Sequence, residues 1–121
     1  MGIDVYLRWP GQTEAEQQAQ YTGFSIAHGH VGYLREAYHG APYATKVLAS
    51  EAYESGEAAI PAKTLRERLP QVLEIAKERA RTVYKETLSD DAPELKSFRD
   101  FVDLAEKKEQ EHGGITVVFS G

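Results

Sequence analysis

The sequence predicts an α+β fold, a small sheet including the N- and C-terminal strands and covered on one face by two long helices. Three observations predict it. Apolar and polar residues alternate at the start of the chain, where Ile3, Val5, Leu7 and Trp9 interleave with Asp4, Tyr6 and Arg8. They alternate again at the end, where Ile115, Val117 and Phe119 interleave with Thr116, Val118 and Ser120. Between these ends, two stretches carry apolar residues at three-to-four spacing, the mark of a helix that buries one face. A helix layer laid on a sheet buries both kinds of face at once.

Each element follows from local chemistry. Period-two spacing places Ile3, Val5, Leu7 and Trp9 on one face of a strand at 3–9, and Pro10-Gly11 ends it. Residues 13–20 are too polar to bury much and read as a loop or an exposed helical turn. From Tyr21 onward, Phe24, Ile26 and His28 alternate and predict a second short strand, ended by Gly29. Residues 30–40 read as a brief helix with Val31, Leu34 and Tyr38 on one side and Gly40 as its stop. The stretch 44–60 supports two readings. Lys46-Val47-Leu48 and Ala58-Ala59-Ile60 form two strands around Ser55-Gly56, or residues 44–53 form a helix.

The C-terminal half reads more sharply. Thr64 and Glu67 have capping-box spacing, and Leu65, Leu69, Val72, Ala76, Ala80 and Val83 form the stripe of a helix near 64–86. Pro70 removes a backbone donor inside that pattern and predicts a kink or a restart. A second helix at 91–112 begins at Asp91, carries the stripe Leu95, Phe98, Phe101, Val102 and Ala105, and stops at Gly113-Gly114.

The length of 121 residues suits one α+β domain spanning 1–121, and 41% hydrophobic with 27% charged residues suits a globular core. There is no cysteine, which excludes disulfides, thiolate metal sites and thiol catalysis. The start lacks the basic and apolar segments of an export signal, and no stretch reaches the ~18 apolar residues of a membrane span. A soluble, cytoplasmic protein without membrane contact is the expectation.

The formal charge is −5. The two helical segments divide it unevenly. Residues 62–86 hold seven basic and four acidic residues, a net of +3, and residues 90–112 hold four basic and eight acidic, a net of −4. Arg66, Arg68, Lys77, Arg79, Arg81 and Lys85 lack the interleaved aromatics of a nucleic-acid stacking surface. Complementary neighbouring helices explain the run, and no nucleic-acid partner is expected.

Chemistry concentrates in residues 21–43. This segment holds His28, His30 and His39 of four histidines, Tyr21, Tyr33, Tyr38 and Tyr43 of seven tyrosines, and four of ten glycines. Imidazole, phenol and guanidinium groups supply proton transfer, hydrogen bonds and anion pairing. As a metal site, His28 and His30 share a face of an extended backbone, and His39 with Asp4 or Glu36 would complete a set. No H-E-x-x-H motif supports it, so no metal or other cofactor is expected. As an anion site, Arg35 and His39 share a face if 31–39 is helical, with Tyr38, Tyr43 and His30 nearby. The competing reading makes Arg35 one half of a surface pair with Asp4 or Glu36.

Other motifs fall short. Gly23-Phe24-Ser25-Ile26-Ala27 lacks the last glycine of G-x-S-x-G, and Gly29-His30-Val31-Gly32 lacks the basic flanks of a KH loop. No phosphate-binding or dinucleotide fingerprint occurs. The opening MGIDVYLRW resembles the starts of small uncharacterised bacterial and phage proteins that begin Met-Gly-Leu-Asp-Met-Tyr or similar. The resemblance implies a bacterial or phage origin and carries no site with it.

The leading functional expectation is a small non-catalytic binding or accessory protein. Its ligand-binding residues would be Arg35, Tyr38, His39, His30 and Tyr43, and its partner a small anionic ligand or an acidic protein. The alternative is a small hydrolase or isomerase-like enzyme, with or without a metal, using His28, His30 or His39. A third reading is a homo-oligomer whose tyrosines fill an interface.

Overall fold

The computed structural model describes residues 2–22, 28–38 and 40–120, and of His28 only the backbone. Strand β1 (Gly2–Arg8) pairs antiparallel with β2 (Tyr33–Ala37) on one side and β4 (Thr116–Ser120) on the other. β4 then pairs with the two-residue β3 (Glu57–Ala58), so the sheet order is β2-β1-β4-β3. The helices are α1 (Glu14–Tyr21), α2 (Ala44–Leu48), α3 (Ser50–Ser55), α4 (Ala62–Val83) and α5 (Pro93–His112). A 3₁₀ turn occupies His28–Val31. The fold is α+β with two long helices, as the terminal strands and helical stripes predict. No helix among the described residues is long and apolar enough to cross a membrane.

One hydrophobic core sits between the sheet and α4 and α5. The strands contribute Ile3, Val5, Leu7, Leu34 and Val117, and the helices contribute Leu65, Val72, Phe98, Phe101, Val102 and Ala105, all buried. Alternation in β1 is strict, with every odd residue from Ile3 to Leu7 inside and every even one half-buried on the other face.

Several local expectations are corrected. Of the two readings of 13–20 the helical one holds, lengthened to the two-turn α1, because Thr13 and Glu16 form a reciprocal capping box and Gln20 is wholly buried. Gln20 Nε2 donates to the carbonyls of Leu7 and Val31, both at 2.9 Å, which docks a polar helix without an apolar stripe. The expected second strand falls mostly on residues 23–27, outside the described residues, and His28 opens a 3₁₀ turn instead. The brief helix over 30–40 is overturned by β2, where Tyr33 and Arg35 lie opposite Tyr6 and Asp4 and where pairing to β1 satisfies the backbone. Of the two readings of 44–60 the helical one holds for 44–48 and 50–55, divided at Ala49, so Lys46-Val47-Leu48 is not a strand, and only Ala58 of the second expected strand joins the sheet.

The long helices also begin differently. α4 starts at Ala62, with Pro61 as N-cap and no side-chain cap, so Thr64 and Glu67 form no capping box. Glu109 of α5 accepts from the Ala62 N–H at 2.9 Å and takes over that task. Pro70 neither splits nor ends α4, which is continuous from Ala62 to Val83 with Pro70 on its exposed side, where water can solvate the freed carbonyl. α5 starts at Pro93, whose fixed φ suits a first helical position, with Ala92 rather than Asp91 as N-cap. Gly113 stops it in the left-handed region, φ 82°.

Gly29 sets how closely the 3₁₀ turn lies on α5. A Cβ placed there would stand 1.7 Å from the Ser97 carbonyl oxygen, a backbone atom that cannot swing away. Gly29→Ala should therefore destabilise by ~1–3 kcal/mol in denaturant unfolding, the usual cost of forced overpacking. Gly114→Ala, which meets nothing within 4 Å, should change stability by no more than ~0.5 kcal/mol.

Candidate functional site

β2 is an edge strand with a different polar constellation on each face. On the outer face, the register sets Arg35 opposite Asp4 and Tyr33 opposite Tyr6. The Tyr33 hydroxyl donates to Asp4 Oδ1 at 2.7 Å, and Arg35 Nη1 approaches the same oxygen at 3.3 Å. Tyr33 stacks on Tyr6 with centroids 5.2 Å apart, and Tyr21 meets Tyr6 edge-on at 5.5 Å. Arg8 lies over both Tyr6 and Tyr21 and donates to the Tyr21 hydroxyl at 2.9 Å. Burial, and then the bond to the Asp4 carboxylate, push the Tyr33 phenol up to about 12.

On the inner face, Glu36 sits where an apolar residue would continue the alternation. Its carboxylate faces Arg79 of α4, with Nε 3.2 Å from Oε2, and both side chains are only 9% exposed. Glu36 also accepts from the N–H groups of Ala44 and Thr45 at 2.8 and 3.0 Å and from the Thr45 hydroxyl at 2.6 Å, capping α2. Arg79 donates in turn to the carbonyls of Ala37, Gly40 and Pro42 and lies 4.9 Å from the Tyr43 ring.

Beside β2 opens a cleft of 480 Å³. Its walls are β2, the C-terminal part of α4, residues 84–88 and the start of α5. Leu34, Ala76, Ala80, Leu88, Pro93 and Phe98 give it an apolar floor, while Arg35 stands at the strand rim and Glu86 and Glu94 line the helical side. A concave, mostly apolar surface with few polar groups is the ordinary form of a ligand site.

The residues expected from sequence are only partly brought together. Arg35 lines the cleft, but from a strand and in company with Asp4 and Tyr33, so it shares no helix face with His39. The Arg35–Asp4 surface pair weighed as its alternative does form. Tyr38 and Tyr43 meet edge-to-face at 5.7 Å in the following loop, where the Tyr43 hydroxyl accepts from the Gly40 N–H at 3.2 Å. His30 is exposed in the 3₁₀ turn, and His39 and the His28 side chain lie outside the described residues. Among the described residues, no three His, Asp or Glu side chains are grouped to hold a metal ion.

From sequence, Glu36 counts only as a metal-ligand candidate or a surface partner of Arg35, and Arg79 only as one of a basic run; their pairing with each other is not foreseen. The available signal was an acid between the apolar positions of what proves to be a strand, visible only once residues 33–37 are assigned to a strand. Four further cations of α4 are held by carboxylates: Arg66 by Asp103 and Glu106, Arg68 by Glu51, Lys77 by Asp90, and Arg81 by Glu78. Only Arg66 shows the α4-to-α5 complementarity the charge pattern predicts; Arg68 reaches α3, Lys77 the segment before α5, and Arg81 a residue of its own helix.

No protein-family model matches the chain, and no curated protein or solved structure matches it significantly. The α+β class is therefore as far as kinship and fold carry the assignment, and the site has to be read from its own geometry.

Two outcomes follow. In a spectroscopic pH titration of tyrosinate, one phenol should ionise near pH 12, and Tyr33→Phe should remove that step. Because folding raises this pKa from 10.0, its stabilising contribution is present below about pH 10 and is lost as pH rises toward 12. For the buried pair, Arg79→Met should cost ~3–5 kcal/mol by stranding Glu36. Combining it with Glu36→Gln should cost at least ~1 kcal/mol less than the two single losses added, measured by a double-mutant cycle.

Proposed function

We propose that this protein is a non-catalytic binding module whose recognition site is the cleft beside β2. Its ligand has an apolar body and an anionic group, either as a small molecule or as part of an acidic partner. The observation that carries the reading is the position of Arg35. Its side chain remains 43% exposed at the rim of an apolar cleft, and Asp4 orients it from the opposite side at 3.3 Å. A guanidinium offers a planar fork of donors, and one carboxylate neighbour leaves donors to spare for a second. Arg79, the other cation of the cleft, is directed at Glu36 and three carbonyls and serves as framework.

The test is an NMR titration of the labelled protein with a panel of arylalkyl carboxylates. Shifts should concentrate at Leu34, Arg35, Ala80 and Phe98. Arg35→Ala should weaken binding by about 10-fold or more while leaving the circular dichroism unchanged, since a charged hydrogen bond contributes ~1.5–3 kcal/mol. Arg35→Lys should restore it poorly, because the planar fork is lost. Shifts confined to other surfaces, or binding indifferent to Arg35, would rule the site out.

A further inference from the structure

The ladder between β1 and β2 fixes which peptide groups of the edge strand look outward. The Leu7 N–H donates to the Gly32 carbonyl at 2.8 Å, so residues 7 and 32 form a hydrogen-bonded pair. In an antiparallel ladder every second pair repeats that pattern. With Val5 opposite Leu34 and Ile3 opposite Glu36, the peptide groups of Leu34 and Glu36 therefore face β1. Those of Arg35 and Ala37 face away. Arg79 confirms the direction, since its Nη2 reaches the outward carbonyl of Ala37 at 2.9 Å. The outward N–H and C=O of Arg35 meet no hydrogen-bond partner among the described residues. An edge of this kind is a template for another strand.

The apolar cleft lies against this same edge. An extended chain paired to β2 would turn alternate side chains inward, into the cleft, and the intervening one outward, onto the face that carries Arg35. We propose that the occupant is a segment of a partner protein that adds to β2 as a short fifth strand, with the pattern apolar–acidic–apolar. The acidic residue exchanges both backbone hydrogen bonds with Arg35 and sets its carboxylate beside the Arg35 guanidinium. The residues before and after it enter the cleft over Leu34, Ala80 and Phe98. Charge complementarity fixes the order: Glu86 and Glu94 line the cleft and reject an acid at the inward positions, whereas Arg35 attracts one at the outward position. Strand addition of this type takes affinity from the backbone and specificity from alternate side chains. The proposal rests on the cleft reading above and names its ligand class.

The experiment selects random heptapeptides displayed on phage against the immobilised full chain and measures the enriched sequences as synthetic peptides by calorimetry. Apolar–acidic–apolar triplets should dominate. N-methylation of the acidic residue's amide should weaken binding at least 10-fold, and N-methylation of the residue on either side, whose N–H faces away from β2, should change it less than about threefold. Arg35→Glu should abolish binding of the selected peptide and accept the same peptide with lysine at the acidic position, which guards against a folding artefact. Peptides that bind with equal tolerance to N-methylation at all three positions, or without regard to Arg35, overturn strand addition. Failure to enrich any peptide while arylalkyl carboxylates still shift Leu34 and Phe98 overturns strand addition and leaves the cleft reading standing. Failure of both probes removes both.

Discussion

The buried pairing of Glu36 with Arg79 is the constraint on which the β2 side of the molecule depends. Two ions at 9% exposure lose most of their hydration, and such a pair is retained only if further hydrogen bonds satisfy its remaining atoms. Here they do, and each bond ties in a separate segment. Through Glu36 the start of α2 is capped. Through Arg79 the carbonyls of Ala37, Gly40 and Pro42 are gathered onto α4. The net gain of the pair over an apolar replacement is small by general experience. Its value is that it specifies one arrangement of strand, loop and two helices.

That arrangement separates two kinds of arginine only a short distance apart. Arg79 is immobilised by the fold and holds the wall of the cleft. Arg35, one residue before Glu36, points to the opposite face of the sheet because successive side chains alternate, and the Asp4–Tyr33 pair steadies it there without burying it. A strand thus delivers a structural ion pair on one face and an accessible cation on the other from adjacent residues. A helix over the same residues would have set them about 100° apart, leaving no such division.

This difference marks the limit of what was legible in the sequence. The terminal strands and the two long helices were readable because each buries an uninterrupted apolar set at its own period. Residues 31–39 misled because Val31, Leu34 and Tyr38 fit helical spacing, while the evidence for a strand, Tyr33 against Tyr6 and Arg35 against Asp4, lies in a partner strand far back along the chain. The start of α4 was misplaced for the same kind of reason: its first N–H is satisfied by Glu109, 47 positions along the chain, and not by a local cap. Residues 44–60 resisted because helix α2 is capped by Glu36 from outside itself. Within the candidate site, Arg35 was recognisable by type and setting, Tyr38 and Tyr43 meet one another rather than Arg35, and the framework pair was out of reach of any local pattern.

The net charge of −5 bears on how an acidic ligand could be accepted at all. At physiological ionic strength the Debye length is about 8 Å, so the acidic residues of the distant parts of α5 exert little force on an anion already at the β2 edge. What decides its fate is the immediate neighbourhood, where Arg35 is opposed by Asp4 on one side and by Glu86 and Glu94 across the cleft. The same total charge removes long-range attraction, so association would proceed without electrostatic steering and at the ordinary ~10⁵–10⁷ M⁻¹s⁻¹ of protein encounters. Recognition of the proposed ligand would therefore be a short-range matter. On that proposal, selectivity would arise from where the carboxylate lies relative to Arg35 and the apolar floor, which is a condition on shape and register before it is one on charge.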